Sequence, residues 1–356
     1  MGGILLTEVF SQFDKSELWE AILDPRNNKP RLKIARSYFQ ILDQQKLPFL
    51  VEVFKYWRDF VEYLGLEGEH IETNEKVWKF VKCSKRGNDI YAERARKSLE
   101  FLKWHEQLEF FKPRDFDVHK PVKTRLLWAT LTWDPSLCSL QTAWETCEYY
   151  YNLWITNLRN KYGRCQVLRF IQGFPDQQGS AFGYPHYHLV LLFEDHEFTV
   201  FPNMKDDGSF EYRIHEKQDL DYQGNWHSFI DVKAISSMRG VYQYAVKHYE
   251  NAGFGSNDEA LINNAICWLF KKKSYTVSGS FRNVYHDLII SLRNSKMFQV
   301  TFDGKKRSIW VFRLIGLFSW SQLNKVRDFG DSSPYFLEFN KDEIIRLFES
   351  SSRNVT

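Results

Sequence analysis

The chain carries a His-x-His triplet, His186-Tyr-His188, at the head of the apolar run Leu189-Val-Leu-Leu-Phe193. In a strand, residues two apart share a face, so both imidazoles point one way and Tyr187 and Leu189 the other. Two neutral imidazoles side by side suit a divalent cation. The same triplet also fits a packed histidine pair, and spacing alone leaves both open. Upstream lies a second apolar segment, Gln166–Phe174, joined to the first by a Gly/Pro/Ser/Gln-rich loop over Pro175–Pro185. Folding that hairpin about Ser180 sets Gln172 opposite His188, where its amide oxygen offers a third ligand or an ordinary cross-strand hydrogen bond. Further on stands Arg239-Gly-Val-Tyr-Gln-Tyr-Ala-Val-Lys-His-Tyr-Glu250. On a helix, Tyr244, Lys247 and His248 fall at i, i+3 and i+4, on one face, and Tyr242 and Tyr249 share another. A phenol with an ordinary pKa near 10 is a poor nucleophile. A metal that polarises the electrophile and a lysine that stabilises negative charge make its attack on phosphorus feasible. A tyrosine-rich amphipathic helix also serves as plain core packing.

The elements that must position these groups follow from the period of the apolar residues. From Leu5 to about Lys112 they recur at three and four, in LLTEVFSQF, ARSYFQIL, FLVEVFKYWRDFVEYL and AERARKSLEFLKWHEQLEFF, which predicts helices broken at Pro25, Pro30 and Pro48. Pro113 and Pro121, among several charges, read as a linker. After it the period shortens, predicting strands at Arg125–Trp133, Gln166–Phe174, His186–Phe193, Glu197–Phe201 and Phe229–Val232. A helix over Leu140–Tyr162 separates the first two, and another begins near Met238. Beyond Gly255 come helices at Glu259–Phe270 and Asn283–Arg293 and strands at Phe298–Phe302 and Ser308–Arg313. The expected class is α+β, a central antiparallel sheet with flanking helices behind a helical N-terminal domain. Three units are expected: 1–115 helical, 116–255 carrying the candidate site, and 256–356 a mixed α/β extension.

Composition sets outer bounds. With 356 residues, 43% hydrophobic and 26% charged, the chain is neither fibrous nor of low complexity. Lys+Arg number 48 against Asp+Glu 45, a formal charge of +3. Any nucleic-acid affinity must therefore come from local patches rather than a general basic field. Aromatics make up 17%, enough for large cores and for stacking surfaces. The five cysteines are scattered with no Cys-x-x-Cys pair, against a disulfide framework or a thiolate zinc site. No apolar run approaches the ~18–20 residues of a membrane span, and the N-terminus lacks a basic leader. A soluble, cytoplasmic protein with no membrane partner is expected.

Taken in order, the motifs resemble those of the HUH endonuclease superfamily, in particular the initiators of rolling-circle replication in plasmids and viruses. Ala129-Thr-Leu-Thr-Trp133 is similar to the family's first strand motif, which has no assigned catalytic side chain. Pro185-His-Tyr-His-Leu-Val-Leu-Leu-Phe193, after a glycine-rich turn, is similar to its metal motif, and Tyr244-Ala-Val-Lys247 to its Tyr-x-x-Lys nucleophile motif. The resemblance covers Trp128–Tyr249, about a third of the chain. It implies a metal-dependent tyrosine endonuclease and strand transferase. His186, His188 and Gln172 would hold Mg²⁺ or Mn²⁺; Tyr244 would attack single-stranded or melted origin DNA and leave a 5′-phosphotyrosine, with Lys247 beside the phosphate. Two departures stand out: Gln172 occupies a place where many initiators have glutamate, and His248 the place where some carry a second tyrosine. Tyr249 or Tyr242 would serve instead if the helix is offset.

No Gly-x-x-x-x-Gly-Lys-Ser/Thr segment occurs, so a host helicase, with a host polymerase, would be the expected partners. Lys271, Lys272 and Lys273, with Arg282 in the aromatic stretch that follows, are candidate DNA contacts, as is Lys305-Lys-Arg307; each cluster also fits a solvated face. Competing readings are a transposase or relaxase of the same superfamily, a non-catalytic DNA-binding regulator, and a hydrolase that uses water at the histidines.

Overall fold

The computed structural model describes residues 39, 42–70, 73–99, 102, 122–176, 179–216, 220, 226, 228–237, 239–245, 258–278, 310–319 and 336–338. Their order is α1 (Leu47–Asp59), β1 (Glu62–His70), β2 (Lys76–Lys82), α2 (Asp89–Leu99), β3 (Val122–Thr124), β4 (Leu126–Thr132), α3 (Leu140–Tyr162), β5 (Cys165–Gly173), β6 (Pro185–Phe193), β7 (Phe198–Met204), β8 (Phe210–Ile214), β9 (Phe229–Ala234), a helical stretch at 239–245, α4 (Asp258–Leu269), β10 (Tyr275–Val277), β11 (Trp310–Ser319) and β12 (Phe336–Glu338). The fold is mixed α/β with antiparallel sheets. Among the described residues no helix is long and apolar enough to cross a membrane.

The central sheet has five strands in the order β10-β5-β6-β4-β9, and every neighbouring pair is antiparallel. Its strands are apolar on both faces because both are covered. One face packs on α3, whose buried Leu140, Ala143, Trp144, Cys147, Tyr151, Trp154, Ile155, Leu158 and Tyr162 recur at three and four. Ser139 Oγ caps that helix by accepting from Thr142 N at 3.2 Å, and Gly163, at φ +81°, ends it. The opposite face forms a second core, in which Leu126, Leu168, Phe170 and Val190 of the sheet meet Ala95 and Leu99 of α2 and Val241 and Ala245 of the helical stretch.

The expectation of a helical first third fails at residues 62–82. β1 and β2 are strands of a second sheet, ordered β11-β1-β2-β12, so the first part of the chain pairs with its last. The pattern FVEYL continues the helical spacing of α1. The helix nevertheless ends at Asp59, and from Glu62 the backbone pairs along the whole of β11, whose partners lie far away in sequence. A local window carries no trace of that pairing. A small third sheet, β3-β7-β8, completes the strands; β3, β8, β10 and β12 have no counterpart in the sequence reading. The helix expected at 283–293, the strand at 298–302 and the linker around 110–116 lie outside the described residues.

The first part of the chain also braces the hairpin that carries the histidines. Gln44 Nε2 donates to Ser180 O at 2.8 Å and to Phe182 O at 2.9 Å in the β5–β6 loop. Gly183 turns into β6 at φ +80°, and a Cβ there would meet Leu47 of α1 at 2.7 Å. The positive φ is what calls for glycine, and a Cβ would also displace the end of the Leu47 side chain. Trp144 of α3 adds a hydrogen bond from its indole to Gly183 O at 2.8 Å.

Candidate active site

Side chains of alternate residues on β5, β6, β4 and β9 form rows across the second face of the sheet. One row reads Phe170, His188, Thr130, Asp231; the next reads Gln172, His186, Thr132, Phe229. Gln172 is therefore opposite His186, and the expected register with His188 is corrected by two residues. The β5–β6 loop closes about position 179 rather than 180, a shift that keeps every side chain on its face. Gln172 still reaches His188 diagonally, with its Nε2 3.2 Å from His188 Nε2.

The imidazoles of His186 and His188 meet edge to face at 4.4 Å between ring centres. Each is tied from below by a threonine of β4. Thr132 Oγ1 lies 2.9 Å from His186 Nδ1, and Thr130 Oγ1 lies 3.4 Å from His188 Nδ1. The Trp128 indole donates to Thr130 Oγ1 at 3.1 Å, which extends the chain one residue deeper. With Nδ1–H donating to the hydroxyl, Nε2 is left as the nitrogen that a cation would take, the arrangement by which hydrogen-bonded neighbours orient metal-binding histidines. Thr130 and Thr132 had no role in the sequence reading. Their place in the Ala129-Thr-Leu-Thr-Trp133 motif and their shared parity were the available signs, and both need the β4–β6 pairing to acquire meaning.

Tyr244 is half-buried above this surface, on a helical turn anchored by the buried Val241 and Ala245. Its ring stands edge to face with His188 at 4.8 Å, with Trp128 at 5.2 Å and with Phe170 at 6.4 Å. The fold thus brings together His186, His188, Gln172 and Tyr244. Tyr242 packs on the same core, while Lys247, His248, Tyr249 and Arg282 lie outside the described residues. Tyr187, between the histidines, points to the other face, where complete burial pushes its phenol well above the ordinary range. Asp231 shares the site's row but is held by Arg213, which also bonds Glu211 at 2.6 Å.

The donor set available to a cation is two imidazole nitrogens and one amide. Among the described residues no group of three His, Cys, Asp or Glu side chains is placed to hold a metal ion, and the Gln172 amide is the described side chain that would join the two imidazoles as a third ligand. Its oxygen and nitrogen exchange by a half-turn, which presents Oε1 in place of Nε2. The residues fit a divalent cation of modest affinity, since Mg²⁺ and Mn²⁺ favour oxygen over nitrogen. Of the basic candidates, Lys271 and Lys273 are exposed in the turn between α4 and β10, and Lys272 pairs with Glu148 at 3.6 Å. Comparison with protein-family models, with curated proteins and with solved structures gives no match.

Proposed function

We propose that the chain is an HUH-type endonuclease that nicks and rejoins single-stranded origin DNA to start rolling-circle replication. The observation that carries this reading is the closeness of a half-buried tyrosine to a cation-competent pair: the Tyr244 ring is 4.8 Å from His188, and Gln172 is within hydrogen-bond distance of the same imidazole. His186, His188 and Gln172 are the residues that would hold Mg²⁺ or Mn²⁺. A cation bound there would polarise the scissile phosphodiester.

Tyr244 then supplies the nucleophile. Its phenolic oxygen, having given its proton to solvent, forms a bond to phosphorus while the bond from phosphorus to the 3′ oxygen breaks and that oxygen takes up a proton from solvent. The products are a 5′-phosphotyrosine and a free 3′-hydroxyl able to prime synthesis. Attack by that hydroxyl on the phosphotyrosine reverses the step, so rejoining needs no external energy source. Lys247, three residues along the same motif, would neutralise charge on the phosphate. Thr130 and Thr132 hold the imidazoles, and Trp128 and Phe170 hold the tyrosine ring.

The test is a denaturing-gel search for a covalent protein–DNA adduct, with single-stranded DNA from the protein's own replicon and Mn²⁺. An adduct that requires metal and disappears in Tyr244→Phe is expected. An adduct that survives in that variant moves the nucleophile to Tyr249 or Tyr242. Tight DNA binding with no adduct overturns the enzyme reading in favour of a DNA-binding regulator.

A further inference from the structure

A cavity of about 280 Å³ opens at the end of β4, on the side of the sheet away from the histidines. Three aromatic side chains wall it: Trp133, which directly follows Thr132; Tyr150 of α3; and Trp226, just ahead of β9. Trp133 meets Trp226 edge to face at 5.3 Å and Tyr150 at 5.5 Å, so the walls are locked against one another. The Trp226 indole donates to Thr132 O at 3.2 Å. The Trp133 indole N–H is buried and finds no acceptor among the described residues. Thr142 and Thr146, one helical turn apart on α3, add hydroxyls to the lining, and none of the described lining residues is charged.

We infer that this cavity takes one unpaired nucleobase of the single strand that passes the histidine site. A volume just under the roughly 300 Å³ at which small-molecule pockets begin suits one flat ring system. Aromatic walls stack on any base. A described lining without charge disfavours the phosphate and favours the neutral heterocycle. Position along the chain ties the pocket to the site. Thr132 turns its hydroxyl to His186 on one face, and the next residue, Trp133, walls the pocket on the other. A strand crossing the end of the sheet therefore passes both within one residue of β4. The inference rests on the nicking reading only in taking single-stranded DNA as the ligand.

The experiment uses the full chain and two probes of equal length, a thymidine dodecamer and a dodecamer of abasic tetrahydrofuran units, with affinities measured without metal. Trp226→Leu is expected to weaken the thymidine strand by roughly 5- to 150-fold, the value of one stacked base, and to leave the abasic strand unchanged. Tyr150→Leu is a second variant on the helical wall, and should show the same selective loss if Trp226→Leu proves unstable by circular dichroism. Equal loss on both strands, no loss on the thymidine strand, or equal wild-type affinity for the two probes overturns the pocket. The adduct assay separates the outcomes: an adduct with no base-dependent affinity overturns the pocket alone. Failure of the wild type to bind either strand overturns the pocket and the DNA reading together.

Discussion

Replacing Thr132 by valine removes one hydroxyl and almost no volume from a strand position, so it isolates what that hydroxyl does for His186. The bond is 2.9 Å long, whereas its neighbour, from Thr130 to His188, is 3.4 Å. A net neutral hydrogen bond contributes about 0.5–1.5 kcal/mol, and a ring nitrogen left without a partner costs about 1–3 kcal/mol. Loss of such a supporting bond weakens metal binding by about 10- to 100-fold where the ligand is otherwise intact. Thr132→Val is thus expected to weaken Mn²⁺ binding by about tenfold or more, and Thr130→Val by only about two- to threefold, since a 3.4 Å contact is already near the limit of a hydrogen bond. Thr132→Ser, which keeps the hydroxyl, should restore most of the affinity. The assay is a titration of the DNA-free protein followed by the electron paramagnetic resonance of unbound Mn²⁺, which is independent of any cleavage. Equal effects of the two valine variants, the reverse order, or unchanged affinity in Thr132→Val would refute the positioning role.

Other outcomes follow from the packing around this surface. Lys85 Nζ pairs with Glu62 at 2.7 Å, with both side chains under 9% exposed, and also donates to Trp57 O at 3.2 Å. Lys85→Met takes the ammonium from a buried Glu62 carboxylate and should cost up to about 3–5 kcal/mol in urea unfolding, while pairing it with Glu62→Leu should recover much of the loss. Burial pushes the Cys147 thiol up to about 11 and the Cys165 thiol up to about 12, so at pH 8 a thiol reagent should label the half-buried Cys83 and Cys138 and spare those two. Burial likewise pushes the Tyr151 phenol from 10 up to about 12. The folded state keeps a proton that the unfolded chain releases, so this contribution is intact below pH 10 and is lost as pH rises from 10 to about 12. Denaturant midpoints should fall across that window, and fall less steeply in Tyr151→Phe.

Much of the sheet was legible along the chain, and the reasons are local. The helix over Leu140–Tyr162 has the same limits in sequence and structure because its apolar stripe runs unbroken for six turns and stops at a glycine. β4, β5 and β6 each fall within a residue of their expected ends, because turn-forming residues or charges flank short apolar runs. Where the reading failed, the deciding contact was remote. β1 continues the spacing of the helix before it, and the ladders with β2 and with the distant β11 make it a strand. The partner of Gln172 was set by how tightly an eleven-residue loop closes, which Gln44, Leu47 and Trp144 govern from other elements.

The two histidines share a face because strand geometry alternates side chains strictly, and no tertiary contact can alter that. The amphipathic turn that carries Tyr244 is likewise a matter of spacing. Which groups meet those histidines is a different kind of question. Thr130, Thr132, Trp128 and Tyr244 come from segments as far as 116 positions apart, Trp128 to Tyr244, and nothing in their own neighbourhoods selects one another. Strand order and register choose them, and those are settled by burying both faces of the sheet at once. Only the complete set of contacts has that energy, and no single stretch of sequence contains it.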